Sequence, residues 1–231
     1  LQGWTGAQYK AVKNDPKTLL ERCDTLMLDM DGTILDLAFD NYMWLEHVPA
    51  RYATLNDMAP DEARNHLFTK FREMQGRLEW YCLDHWSDFL GLDMAAIHRE
   101  QNHRIAYLPG AKSFLETVRA HDIRILLVTN SHEETLEIKD EVTGVTTHFD
   151  SVYSSHSFGV PKERQEFWQG LREVEDFDPA TTLFIDDSAP VLDSAHEYGI
   201  GMLLEITRPD TGKPSRQNSA FGGLEALAHL L

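Results

Sequence analysis

Positive charge is scarce in this chain: 21 lysines and arginines face 38 aspartates and glutamates, for a formal net charge of −17. A field of that sign repels a nucleic-acid duplex and an anionic membrane surface, so neither is an expected partner. A small anion can still bind where a lysine or a metal ion reverses the local potential. Cysteine is scarcer still. Cys23 and Cys82 are the only two, without Cys-x-x-Cys spacing, which excludes the disulfide framework of a small secreted domain. Both read as reduced, in a cytoplasmic setting. No apolar run approaches the length of a membrane span, and Leu1 to Lys10 lacks the basic region and apolar segment of a secretory signal. Also missing are the Gly-x-x-x-x-Gly-Lys-Ser/Thr loop and the Gly-x-Gly-x-x-Gly turn that cradle nucleotide phosphates. Any phosphate must therefore be handled by acids, a metal and lysine.

At 231 residues and 42% hydrophobic, the chain can bury one large core or two modest ones. Short β-rich runs recur at Thr25 to Leu28, Ile123 to Val128, Ser151 to Ser154, Thr182 to Ile185 and Met202 to Ile206. Helical patterns lie between them, and that alternation predicts an α/β fold with a mostly parallel sheet. Ser131 with Glu134 forms a capping-box pattern for a helix reaching about Glu141, with Gly144 beyond its end. Pro161 stands at the start of a helix expected over Lys162 to Val174. Ser188 is positioned to cap Ala189 to Tyr198, with Gly199 to end it.

From Leu37 to Tyr107 strand signals vanish, and apolar residues recur at helical spacing: Leu67, Phe68, Phe71 and Met74, then Leu78, Tyr81, Cys82, Trp86 and Phe89. An inserted helical subdomain of about four helices follows, with breaks near Asp57 to Pro60 and Gly91 to Asp93. Leu108-Pro109-Gly110 is a hinge back into the α/β part. The expected organisation is a core of residues 24–36 and 108–231, a helical insert at 37–107 and an N-terminal extension at 1–23. Thr207 to Gly223 reads as a long loop before a final helix, Leu224 to Leu231.

Four stretches end an apolar run with polar groups suited to phosphate. Asp29 and Asp31 follow Leu26-Met27-Leu28, and a strand-end Asp-Gly turn would explain them without chemistry. Asp29, however, still lies in the apolar run, where an unpaired charge is costly. Thr129-Asn130-Ser131 can simply cap a helix, or can grip phosphate oxygens with a hydroxyl and backbone amides at the helix N-terminus. Lys162 is either a solvated lysine or an ammonium held by a proline-stiffened loop. Asp186-Asp187 follows three apolar residues; capping accounts for one acid, whereas a hard cation such as Mg2+ accounts for both. All four fall at carboxyl ends of expected parallel strands or just beyond one, where open α/β sheets bind ligands.

In identity, order and strand context, Asp29-Met30-Asp31-Gly32-Thr33, Thr129-Asn130, Lys162 and Asp186-Asp187 resemble the four motifs of the haloacid dehalogenase-like superfamily. The helical insert is similar to that superfamily's first type of cap. The resemblance is closer to its bacterial GMP/IMP nucleotidases through Asp36-Leu37-Ala38-Phe39-Asp40-Asn41-Tyr42, Trp80-Tyr81-Cys82-Leu83-Asp84 and Phe158-Gly159-Val160-Pro161-Lys162-Glu163. It implies a Rossmann-like core with an all-α cap, and Mg2+-dependent hydrolysis of purine nucleoside 5′-monophosphates through an aspartyl-phosphate. Asp29 is then the nucleophile and Asp31 the general acid/base. Thr129, Asn130 and Lys162 bind the phosphoryl group. Asp29, Asp31 through its carbonyl, Asp187 and Asp186 hold the metal, the last directly or through water.

The aromatic residues in or near the cap, Phe39, Tyr42, Trp44, Trp80 and Tyr81, are candidates for stacking on a base or ribose, Phe39, Tyr42 and Trp44 first among them, with plain helix core as the competing reading for each. Other functions compatible with the same residues are a phosphatase for a different small metabolite, a sugar phosphomutase, or a non-catalytic binding protein on this fold.

Overall fold

A computed structural model describes residues 16–231. Residues 1–15 of the expected N-terminal extension therefore lie outside the described residues. The framework is one six-stranded sheet in the order β3-β2-β1-β4-β5-β6, with β1 Thr25–Leu28, β2 Arg124–Thr129, β3 Ser151–Ser154, β4 Thr182–Asp186, β5 Met202–Ile206 and β6 Gly223–Leu224. Every pairing is parallel. Parallel strands covered on both faces need apolar side chains on both, and β1 through its neighbours β2 and β4 supplies them with period two. Leu26, Leu28, Ile125, Leu127, Leu183 and Ile185 enter one apolar cluster, while Met27, Leu126, Val128 and Phe184 enter the other. At about 1.5–3 kcal/mol for each fully buried large side chain, these central strands set the position of everything attached to their ends.

The helices in chain order are α1 Pro16–Leu20, α2 Ala38–Tyr42, α3 Val48–Leu55, α4 Pro60–Met74, α5 Leu83–Leu90, α6 Met94–Glu100, α7 Ala111–Val118, α8 Glu133–Thr143, α9 Gln165–Val174 and α10 Ala189–Tyr198. A π-helical turn, Met43–His47, joins α2 to α3 without a break. The segment 37–107 thus contributes four helical pieces (α2 with α3, α4, α5 and α6), broken near Asp57 and Gly91, and α7 follows it before β2. Its apolar face is continuous with the sheet: Phe39, Met43, Trp86 and Ile97 share a cluster with Leu28 and Leu127. Among the described residues no helix is long and apolar enough to cross a membrane.

Three local expectations change. The helix after β2 is capped at His132, not Ser131, because the Ser131 hydroxyl is spent on Asp31. Helix α9 begins at Gln165. Pro161 and Lys162 belong to the preceding turn, which frees the Lys162 backbone N–H to donate to Asn130 Oδ1 at 2.9 Å. The stretch Leu224 to Leu231 is not a helix: Gly223–Leu224 adds an edge strand against Glu205 and Ile206, and only the 3-10 turn Leu227–Leu230 follows. Two residues of strand are too few to show a period.

Candidate active site

Strand β1 sits where the sheet order reverses, between β2 and β4, and the crevice outside that switch point is where such sheets bind ligands. Asp29 follows β1 directly, Thr129 ends β2 and Asp186 ends β4. The in-register pairing of Leu28 with both Leu127 and Ile185 holds these ends level. The turn before α9 then brings Lys162 across. Its Nζ donates to Asp29 Oδ1 at 2.5 Å, Asp186 Oδ2 at 2.7 Å and the Val128 carbonyl at 2.9 Å, all buried. Lys162 therefore makes all three of its ammonium bonds, two of them to carboxylates.

Asp29, Asp186 and Asp187 each place one carboxylate oxygen within 4.8 Å of the others. Burial pushes the Asp29 carboxyl well above the usual carboxylate range; Lys162 opposes this, while Asp186, Asp31 and Asp187 add to it. Burial and the adjacent Asp186 push Asp187 up to about 7 against the pull of Arg216 and Lys162. Burial pulls Lys162 down, but Asp186 and Asp29 outweigh it and hold the ammonium above its ordinary value. Three buried carboxylates with one lysine inside and one arginine at the edge leave an excess of negative charge. An all-oxygen donor set of that kind fits a hard divalent cation.

Gly32 makes the acids' close approach possible. It has φ +86°, a region favouring glycine, and a Cβ there would stand 2.7 Å from Asp187 Cγ. The Thr207 to Gly223 loop completes the wall, with Arg216 donating to the Asp187 carbonyl and, at 3.2 Å, to its Oδ2. The same loop holds the root of the insert, since Asn41 donates to Asp210 at 2.6 Å and Thr211 donates to Asp36 from both its backbone N–H and its hydroxyl.

Asp31 faces the other way, toward α8. Ser131 Oγ donates to its Oδ2 at 2.5 Å and Lys139 Nζ to its Oδ1 at 2.6 Å. Lys139 also bonds both oxygens of Asp40, at 2.7 and 2.9 Å. Burial pulls Lys139 down, yet Asp31 and Asp40 together hold it above its ordinary value. Asp40 is raised to about 6, because burial and nearby Asp31 exceed the stabilisation that Lys139 gives. Thr129 Oγ1 accepts from the Ser131 amide at 3.0 Å, which closes the loop and leaves the hydroxyl proton available to a ligand. Asn130 donates to Glu163 at 3.0 Å, and Glu163 accepts from the Tyr81 hydroxyl at 2.7 Å.

The four motif clusters thus converge, and a cavity of about 640 Å³ opens beside them between sheet and insert. Asp31 and Ser131 line it from the core; Trp44, Phe68, Phe71, Asn65 and Arg72 line it from the insert. Of the five aromatic candidates, Trp44, Trp80 and Tyr81 line it, and Phe39 and Tyr42 do not. Phe39 is buried edge-on to His98. Tyr42 is stacked on His47 under the Arg104 guanidinium, 3.8 Å from its ring centre. Both are occupied in packing, which is the competing reading for each of them.

Sequence reasoning missed Lys139, Asp40, Ser131 as a partner of Asp31, and Arg216. Lys139 left one signal: on α8 it shares the buried face of Thr135 and Ile138, at a spacing of four and one residues.

The model of the haloacid dehalogenase-like hydrolase family matches residues 26–204. The GMP/IMP nucleotidase YrfG of Escherichia coli is 42% identical over 208 residues, covering 90% of this chain and 94% of that protein. The pyrimidine 5′-nucleotidase YjjG of the same organism is 24% identical over 72% of this chain and 78% of its own length. A HAD phosphatase from Thermococcus onnurineus shares the fold with a TM-score of 0.74 at 19% identity, over 90% of this chain and 95% of its own. On the matched residues, which hold all four motifs, the chain belongs to the haloacid dehalogenase-like hydrolase family.

Proposed function

We propose that the chain is a cytoplasmic Mg2+-dependent phosphomonoesterase that hydrolyses purine nucleoside 5′-monophosphates, GMP and IMP, through an aspartyl-phosphate on Asp29. The observation that carries this reading is the juxtaposition of Asp29, Lys162 and the two acids after β4 with a large aromatic-lined cavity that reaches Asp31. The 42% identity to a GMP/IMP nucleotidase over nearly both full lengths supports the substrate class.

Mg2+ held by Asp29, the Asp31 carbonyl, Asp187 and Asp186 would supply charge compensation for a phosphate dianion beside these carboxylates. The chain's own groups do the rest. Lys162 neutralises Asp29 and the incoming phosphoryl oxygens, so that two anions can approach one another. Asp29 Oδ attacks phosphorus as the bond from phosphorus to the nucleoside 5′-oxygen breaks, and that oxygen takes a proton from Asp31. Water then attacks the phosphorus of the aspartyl-phosphate and gives a proton to Asp31. Phosphate leaves, and Asp29 and protonated Asp31 are restored. Thr129 and Asn130 orient the phosphoryl oxygens. Ser131 and Lys139 hold Asp31 toward the cavity, where the leaving group would lie.

Residues 37–107 act as a cap on the core formed by 24–36 and 108–231. The cap meets the core through Asp40 on Lys139 and Tyr81 on Glu163, and it must open to exchange substrate for product. The base would sit against Trp44, Phe68 and Phe71, with Asn65 and Arg72 available for its polar edge. Steady-state kinetics on a panel of phosphate esters tests the assignment. GMP and IMP should show the highest kcat/KM; equal turnover of sugar phosphates would overturn the nucleotidase reading.

A further inference from the structure

Away from the acid cluster, the same end of the molecule carries a second group of metal-ligating side chains. Cys82, His132 and His156 bring Sγ and a ring nitrogen of each histidine within 4.8 Å of one another. The three come from different parts of the fold: Cys82 from the insert, just before α5; His132 from the start of α8; His156 from the 3-10 turn after β3. The two imidazoles meet edge to face, with centroids 5.0 Å apart.

Their hydrogen bonding points to a ligand. Nδ1 of His132 and Nε2 of His156 are both buried and have no hydrogen-bond partner, and a buried polar atom left without one is costly. The other nitrogen of His132, Nε2, lies 3.8 Å from a carboxylate oxygen of Asp84 and 3.8 Å from one of Glu133. Neither is close enough for a hydrogen bond, but both place negative charge on that side of the ring, which favours a cation beside it. Cys82 and His156 also line an open cavity of about 450 Å³, which gives an ion a way in.

We propose that Cys82, His132 and His156 form a binding site for a Zn2+-class cation, which ties the helical insert to the core. One thiolate and two imidazoles are the donors of a borderline-soft transition metal and differ from the all-oxygen set of Asp29, Asp186 and Asp187. Ligands around one zinc lie roughly 3.3–3.8 Å apart, given metal–ligand bonds of about 2.0–2.3 Å. A side-chain adjustment of about 1 Å therefore closes the triad, with water in the fourth position. Binding breaks the Cys82 S–H bond, the sulfur pair goes to the metal and the proton goes to solvent. No electron is transferred. Because Cys82 moves with the insert, the bound ion holds it down.

Co2+ is the probe for the site, because a cobalt–thiolate bond gives a charge-transfer absorption that carboxylate-bound cobalt lacks. The full chain, saturated with Mg2+, is titrated with Co2+ and then back-titrated with Zn2+. One equivalent of thiolate absorption is expected, displaced by Zn2+. Cys82→Ser should abolish it, and His156→Ala should weaken Co2+ binding about tenfold or more. Asp187→Asn, in the acid cluster, should leave it intact. Cys23 serves as the internal control, since it is buried and its thiol is pushed up to about 11 by that burial. Hydrogen exchange with Zn2+ should slow around Cys82 and His132 in the parent and not in folded Cys82→Ser. No thiolate band in the parent, or an equal band in Cys82→Ser, would overturn the site. A band without slowed exchange would overturn the tie between insert and core.

Discussion

Lys139 donates to Asp31 across 2.6 Å from a side chain that is only 1% exposed. The same ammonium holds Asp40 at the first turn of the insert, so one buried cation links the proposed acid/base to the cap. Replacing it by methionine keeps the volume and strands Asp40 without a counter-charge. Removing one partner of a buried pair costs about 3–5 kcal/mol, so urea unfolding of Lys139→Met should show a loss of that order. Lys139→Met with Asp40→Leu should recover much of the stability. Turnover should stay low in both variants, by roughly 100-fold, since Asp31 has lost the group that aims it.

Gly32 sets how closely the first motif approaches the last. Gly32→Ala places a side chain at φ +86° and drives its Cβ to 2.7 Å from Asp187 Cγ. Left-handed backbone alone costs roughly 1–2 kcal/mol for a non-glycine residue. The displaced Asp187 adds a second effect, and the Mg2+ concentration for half-maximal activity should rise about tenfold or more. A melt and a Mg2+ titration of activity measure the two effects separately.

Trp44 lines the cavity and Tyr42 does not. Loss of one base-stacking ring is worth about 1–3 kcal/mol, so Trp44→Leu should raise KM for GMP about tenfold with a smaller change in kcat. Tyr42→Leu should stay within about twofold on both constants, the range of substitutions away from a site. Paired Michaelis–Menten curves for the two variants check the assignment.

His98 is buried against Phe39 and Trp44, and its Nδ1 is 2.7 Å from the Met94 carbonyl. Burial lowers its pKa from 6.5 to about 4, an effect to which Lys139 and His47 add. Between those values the unfolded chain binds a proton that the folded chain does not. The stabilisation from neutral His98 is therefore complete above pH 6.5 and is lost as pH falls toward 4. Over the full window it amounts to about 3 kcal/mol. Chemical denaturation of the parent from pH 7.5 to 4.5 should show a steeper fall than His98→Gln across that window.

The parallel core was legible because its strands are short runs rich in β-branched, aromatic and aliphatic residues set between helical patterns: Thr25 to Leu28, Ser151 to Ser154 and Met202 to Ile206 are strands at the expected bounds. Asp29, Thr129, Asn130, Asp186 and Asp187 were legible for a related reason, since each stands at or just beyond such a run, and Lys162 through the proline-stiffened loop that follows the third strand. Lys139 was not. It lies among Glu134, Glu137, Asp140 and Glu141 and looks like one half of a surface ion pair, whereas its partners are 99 and 108 residues away. Arg216 was hidden likewise, in a loop whose only local signal is turn composition, 29 residues from the acid it contacts. Periodicity reports which side of an element is buried, not which charge meets it there. Phe39 and Tyr42 show the converse, because aromatic character was visible but the direction of each ring was not.

The central claim is a covalent bond between Asp29 and the phosphoryl group, and trapping it is the most direct test. The parent is mixed with Mg2+ and GMP labelled in the phosphate, quenched in acid within one turnover, reduced with borohydride and mapped by mass spectrometry. The account predicts label on the protein before reduction and homoserine at position 29 after it, with neither seen in Asp29→Asn. Full turnover without label on the protein, or label on another residue, would contradict it.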